Sequence, residues 1–178
     1  WGVLLQIRIP NHPSDGIGSI LSQIESSLVQ ELPEKWLSVL EGHAVLSEQR
    51  ETDATYCGRR ADDDGLIDWT KHAVQVHDFV RAQGIPYPGA FSYLSSERLR
   101  ILKAQISPVT FFGTPGQILS LNQERGTALV ACGDGSALEV FEVRLKDHAT
   151  SAINVLTSTT LRLQPSPSSA QPASSNFS

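Results

Sequence analysis

The feature that most constrains this sequence is a change of period at Pro86-Tyr87-Pro88-Gly89. Before it, apolar residues recur at helical spacing. After it come short β-rich runs at residues 90–94, 99–105, 117–121, 128–132 and 137–145, separated by Gly, Pro, Ser or Asn clusters. Such runs read as strands, and five of them at this spacing fit a small closed or partly open barrel of the OB kind. Gly133-Asp134-Gly135 reads as a tight hairpin turn, with glycine supplying positive φ. Residues 150–156 are expected to form a last short helix before a strand at 160–163.

Upstream the pattern is helical. Ile17, Ile20, Leu21, Ile24, Leu28 and Val29 recur every three or four residues and predict an amphipathic helix. Pro33 is expected to break it and to open a second short helix through Trp36, Leu37 and Leu40, ended by Gly42. A third helix carries Trp69, Ala73, Val76 and Val80 on one stripe, with Asp68 as the expected N-cap. Residues 3–9 read as a strand stopped by Pro10. The polar, acidic stretch 47–54 has no period and reads as a linker at a domain boundary.

With 40% hydrophobic and 19% charged residues the composition is globular, and no apolar run reaches the ~18 residues of a membrane span. No signal-peptide pattern stands before Val3-Leu4-Leu5, so a cytoplasmic protein is expected. The net charge of −5 gives no overall demand for a nucleic-acid partner, although a local basic face fits within such a sum. Cys57 and Cys132 stand alone, which argues against a zinc site or a disulfide framework. Asp62-Asp63-Asp64 lacks spaced ligands and reads as a solvated loop, and no metal is expected. His77, beside the stripe residue Val76, reads as a half-buried structural histidine.

Several collinear blocks carry a family resemblance. They are Ala54-Thr55-Tyr56-Cys57, Asp64-Gly65-Leu66-Ile67-Asp68-Trp69, His77-Asp78-Phe79-Val80-Arg81-Ala82 and Pro86-Tyr87-Pro88-Gly89-Ala90-Phe91. Leu99-Arg100-Ile101, Pro115-Gly116-Gln117-Ile118-Leu119 and Ala131-Cys132-Gly133-Asp134-Gly135 continue the pattern. In order and spacing they resemble the C-terminal half of formyltransferases that use 10-formyltetrahydrofolate, of the methionyl-tRNA formyltransferase type. The resemblance implies an α+β chain: residues 1–46 close a Rossmann-like catalytic domain, 47–56 link, 57–163 form an OB-like barrel domain, and 164–178 are a disordered tail or linker.

It further implies that the parent protein formylates an amine, with 10-formyltetrahydrofolate bound by an N-terminal domain that this chain does not contain. The family performs the transfer with an Asn, a His and an Asp. Gly2-Val3-Leu4-Leu5-Gln6 is similar to the strand that follows the Asp, which places that Asp just before residue 1. Asn11-His12-Pro13-Ser14 superficially resembles the catalytic Asn-x-His-Pro-Ser segment but lacks its intervening residue, and adjacent residues of a strand point to opposite faces. It is expected to be a Pro-flanked turn. No catalytic residue is therefore assigned, and the fragment alone is expected to be inactive. A chain opening on Trp1 without any methionine is likewise expected to be an excerpt.

For substrate binding, Arg59, Arg60, Arg98, Arg100 and Lys103 are the candidates, because alternation puts Arg98 and Arg100 on one strand face where they could meet phosphates. The amine stays open among three readings: methionyl initiator tRNA, a small amine such as an amino sugar on a nucleotide carrier, or the substrate of a peptide assembly line.

Overall fold

A computed structural model describes residues 2–167, in two compact units that divide between Ala61 and Asp62. In the first unit, β1 (Gly2–Val3) pairs antiparallel with β2 (Ser47–Glu48), on either side of the long helix α1 (Ile17–Leu40) in the sequence. The expected strand at 3–9 is thus only two residues long, and its partner comes from the stretch read as linker. The expected break at Pro33 does not occur. α1 is one helix of 24 residues with Pro33 inside it. Its apolar stripe runs through the proline from Leu28, Val29 and Leu32 to Trp36 and Leu37, all of them exposed, so no burial among the described residues offsets the ~3 kcal/mol that an interior proline costs. No residue of α1 is buried.

The second unit begins with a 3-10 turn at Asp62–Gly65, followed by α2 (Ala73–Ala82). The strands β3 (Phe91–Leu94), β4 (Glu97–Ile106), β5 (Ile118–Asn122), β6 (Thr127–Ala131), β7 (Ala137–Leu145), β8 (His148–Ser151) and β9 (Leu163–Gln164) follow. All strand pairs are antiparallel, in the order β5-β6-β7-β4-β3-β9 with β8 also on β7. The fold is α+β, a curled antiparallel half-barrel with a helix packed on it. Curling brings the two ends of the strand order together. Gln117, just before β5, bridges Arg162, just before β9, and the Leu163 amide donates to the Gly116 carbonyl. Gly116 lies at φ +82° with its missing Cβ pointing into the Leu163 carbonyl, so no other residue fits.

The concave side holds the core. Leu99 and Ile101 of β4, Val130 of β6, and Leu138, Val140 and Val143 of β7 meet Trp69, Val76 and Val80 from the helical layer, all essentially buried. Each such side chain contributes on the order of 1.5–3 kcal/mol by leaving water. The Trp69 indole donates to Ser92 Oγ at 3.0 Å, and that hydroxyl donates to the Gln164 carbonyl at 2.9 Å, so the polar atoms inside the core are satisfied. Two local expectations change. His72, not Asp68, is the N-cap of α2, because Asp68 instead closes its own turn on the Thr70 amide and hydroxyl. The segment at 150–156 gives the end of β8 and a 3-10 turn (Ala152–Asn154) instead of a helix. The expected tail at 164–178 lies outside the described residues beyond 167. Among the described residues no helix is long and apolar enough to cross a membrane.

The β6–β7 turn fixes the start of α2. Ser136 Oγ accepts the Ala73 amide at 2.8 Å, and the Gly133 amide donates to the Lys71 carbonyl at 2.8 Å. A Cβ on Gly133 would fall 1.9 Å from the Thr70 carbonyl oxygen. Gly133→Ala should therefore lower the urea midpoint by the equivalent of about 2 kcal/mol or more, while Gly58→Ala, where a Cβ meets nothing within 4 Å, should leave it unchanged.

Candidate substrate-binding face

Alternation along β4 buries Leu99 and Ile101 and sends Arg98 and Arg100 to the opposite, outer face. Across the β3–β4 ladder, Phe91 stands opposite Arg100 and Tyr93 opposite Arg98. Phe91 is nevertheless only 1% exposed. It is covered on the outer side by the Asp62–Gly65 turn, where a Cβ on Gly65 would meet the Phe91 ring at 3.4 Å. The Arg98 guanidinium lies 4.5 Å above that ring and the Arg100 guanidinium 5.7 Å from it.

The same two guanidiniums hold the acidic turn. Arg98 donates to Asp62 at 2.7 Å, to Asp63, and to the Tyr93 hydroxyl at 3.3 Å. Arg100 donates to both Asp62 oxygens at 2.9 and 3.0 Å and to the Gly89 carbonyl at 3.0 Å. Asp62 and Asp63, read from the sequence as part of a solvated loop, are thus engaged in charge-assisted hydrogen bonds. The Arg100 hydrogen bond in particular holds the Asp62 carboxyl below the usual carboxylate range, against the partial desolvation that raises it. Arg98 moves the other way, raised chiefly by the Tyr93 hydroxyl and then by Asp63.

Lys103 stands further along β4, past a bulge that follows Ile101. Its ammonium is 5.9 Å from the Phe141 ring, and the Arg125 guanidinium is 5.3 Å from the same ring. Arg125 in turn pairs with Glu139 at 2.9 Å, and Glu139 also accepts the buried Thr127 hydroxyl at 2.7 Å. Arg98, Arg100 and Lys103 therefore share one strand. Arg59 and Arg60 belong to the first unit and are exposed there. The sequence reading missed Arg144. It lies between inward Val143 and Leu145 on β7 and is paired with Arg100, and the alternation of β7 was the signal that could have found it.

The remaining candidates sit elsewhere. His12 closes an exposed turn: its amide donates to Asp15 at 2.9 Å, and its ring Nδ1 is 2.9 Å from Ser14 Oγ. His77 is partly buried on α2, 3.8 Å from Asp78. Cys132 is buried, which pushes its thiol up to about 12 and makes it a poor nucleophile. A cavity of about 270 Å³ beside α2 is lined by apolar Leu66, Ile67, Val76 and Phe79 and by polar Asp68, Lys71 and Gln75.

A family model described as "Formyl transferase, C-terminal domain" matches residues 60–159. Among solved structures the chain is similar to HypX from Aquifex aeolicus. One variant of that protein superposes with a TM-score of 0.62 at 18% identity, over 85% of this chain and 27% of that one. A second variant gives 0.58 at 18% identity, over 83% and 26%. HypX crystallised in complex with tetrahydrofolic acid gives 0.56 at 19% identity, over 83% and 26%. The chain thus spans about a quarter of the length of these structures, and at such identity the likeness concerns the fold.

Protonation tests the clamp. A carboxyl whose folded pKa is depressed contributes stability that is present above its unfolded value, near 3.8, and lost as pH falls through the folded value. Asp62 and Asp68 are both depressed, the latter mainly by the Thr70 hydroxyl. Urea midpoints measured from pH 7 down to 3 should fall below about pH 4, and Asp62→Asn should flatten that fall.

Proposed function

The chain belongs to the formyl transferase C-terminal domain family, and on that premise we propose that it is the substrate-side part of an enzyme that moves a formyl group from 10-formyltetrahydrofolate to a primary amine. The amine is that of methionyl-tRNA. The observation that carries this reading is the row of outward cations on β4, Arg98, Arg100 and Lys103, on the convex side of the half-barrel where a phosphate backbone could lie along them. A cytoplasmic location goes with this substrate.

Formyl transfer needs a neutral amine to attack the formyl carbon, donors for the oxyanion that develops, and a group that moves the proton. In this reading those tasks fall to an Asn, a His and an Asp of a Rossmann-like domain, to which residues 1–46 belong. The folate is bound there as well. The character of α1 supports this. A 24-residue helix with Leu32, Trp36, Leu37 and Leu40 exposed has the unburied apolar face expected of a helix that packs in a larger domain. The half-barrel's part is to grip and orient the carrier of the amine.

One observation favours a second reading. Arg98 and Arg100 already hold carboxylates, which leaves less unpaired positive charge than a long backbone would use. A small amine on a phosphate-bearing carrier, such as an amino sugar nucleotide, needs only one or two such contacts.

Binding of uncharged initiator tRNA, measured by filter retention at 50 and 200 mM salt, separates the two. Several phosphate contacts predict a loss of about tenfold or more between these concentrations. Absence of binding at the lower salt refutes the tRNA reading. The chain on its own should not turn over 10-formyltetrahydrofolate with methionyl-tRNA, and measured turnover would show that it contains the centre assigned here to the Rossmann-like domain.

A further inference from the structure

We propose that Arg144 and Arg100 form a phosphate-binding pair on the outer face of the β4–β7 ladder, and that Asp62 is its built-in competitor. The inference deepens the reading of this face as substrate-binding, and rests on that reading but not on the identity of the amine. Arg100 and Arg144 are direct cross-strand partners. Their neighbours Leu99, Ile101 and Val143 are buried on the inner side, so both arginines stand outward, with Cβ atoms at the roughly 4.5–5.5 Å of such pairs.

Two like charges directly opposite each other destabilise a ladder unless an anion lies between them. Asp62 meets this need for one side only. Its two oxygens are divided between Arg98 and Arg100. The Arg144 side chain makes no hydrogen bond and no ion pair among the described residues. Its partner on the other flank is Ala149 of β8, which supplies no charge and little bulk. Of the acids nearest along the strands, Glu97 holds Lys146 at 2.7 Å, and Glu142, two residues before Arg144 on the same outer face and opposite Lys103, makes no ion pair with Arg144 among the described residues.

Arg144 therefore presents a planar fork of donors beside a second fork that is only partly used. A phosphate has enough acceptor oxygens to take both. Nη2 of Arg100 holds Asp62 and Nη1 holds the Gly89 carbonyl, so a phosphate that takes Nη2 displaces Asp62. The acidic turn then acts as an internal surrogate for the ligand, holding Arg100 in a binding rotamer and weakening anions that cannot outcompete a carboxylate. The ligand chemistry is a phosphate group, whether from a nucleotide carrier or from an RNA backbone.

The test is calorimetric titration of the 178-residue chain with pyrophosphate at constant ionic strength, alongside the Arg144→Gln and Asp62→Asn variants. Wild type should bind, Arg144→Gln should weaken binding by about tenfold or more, and Asp62→Asn should tighten it by about threefold. No pyrophosphate binding by the wild type, or undiminished binding by Arg144→Gln, overturns the site. Unchanged or weaker binding by a folded Asp62→Asn overturns the competitor. Should that variant fail to fold, Asp62→Glu, which keeps the charge but lengthens the arm, must shift the affinity for the competitor to stand. Initiator tRNA provides the second arm. Binding that Arg144→Gln leaves intact overturns the pair while sparing the tRNA reading. Arg144-dependent pyrophosphate binding without any tRNA binding does the reverse.

Discussion

The β4–β7 ladder is the constraint on which the second unit depends. β7 is bordered by β6, β4 and β8, and β4 joins it to β3 and so to β9. Because side chains alternate, one register sets both faces at once. Leu99, Ile101, Val140 and Val143 go to the core, and Arg100 and Arg144 go to the outer surface as neighbours. A slip of one residue would bury two guanidiniums and expose the core. The concentration of positive charge on the outer face is thus inseparable from the packing of the inner one, and the ladder shifts register on both sides of Lys103, between Ile101 and Ala104.

That outer face also carries a small apolar cluster of its own. Phe91 is buried but does not belong to the main core; it lies beneath the Asp62–Gly65 turn, edge-on to Tyr93 at 5.7 Å between ring centroids. Arg98 and Arg100 cover the ring with their guanidiniums and hold the turn with the same groups. An apolar ring, two cations and two carboxylates are thus mutually satisfying. Breaking the ion pairs would expose the ring and free the start of the unit together. The partial exposure of Asp62 keeps the electrostatic share of this modest, and the packing of Phe91 supplies what the ion pairs do not.

Much of this was legible in the sequence where the cause is local. The β-rich run 137–145 and the turn residues around it read as a strand, and the stripe of Ala73, Val76 and Val80 read as the packed helix, with Trp69 lying in the turn before it. Expectations changed where a distant partner decides. Asp68 has the side chain of an N-cap, but the Thr70 turn captures it, and Ser136 from the β6–β7 turn satisfies the Ala73 amide in its place. Asp62 and Asp63 look solvated until β4 brings Arg98 and Arg100 to them, some 35 residues away in sequence. Pro33 has the strongest local preference of all against a helix interior, and α1 nevertheless continues through it. Arg144 was hidden for another reason: a charge read alone says nothing of which charge stands opposite.

The pairing of cations with acids also bears on how the face could discriminate. A bare row of arginines attracts any polyanion, with an affinity governed mainly by salt. Asp62 and Asp63 remove most of that general attraction by occupying the forks. What survives is a requirement for a ligand whose oxygens match two guanidiniums better than a carboxylate does, which a tetrahedral phosphate meets and a diffuse negative surface does not. Selectivity in such a site comes from the cost of displacing the internal anion, paid only by a ligand that also engages Arg144. On the proposed reading, the acidic turn lowers affinity for any anion that must displace Asp62, and only one that also engages Arg144 across β4 and β7 recovers that cost.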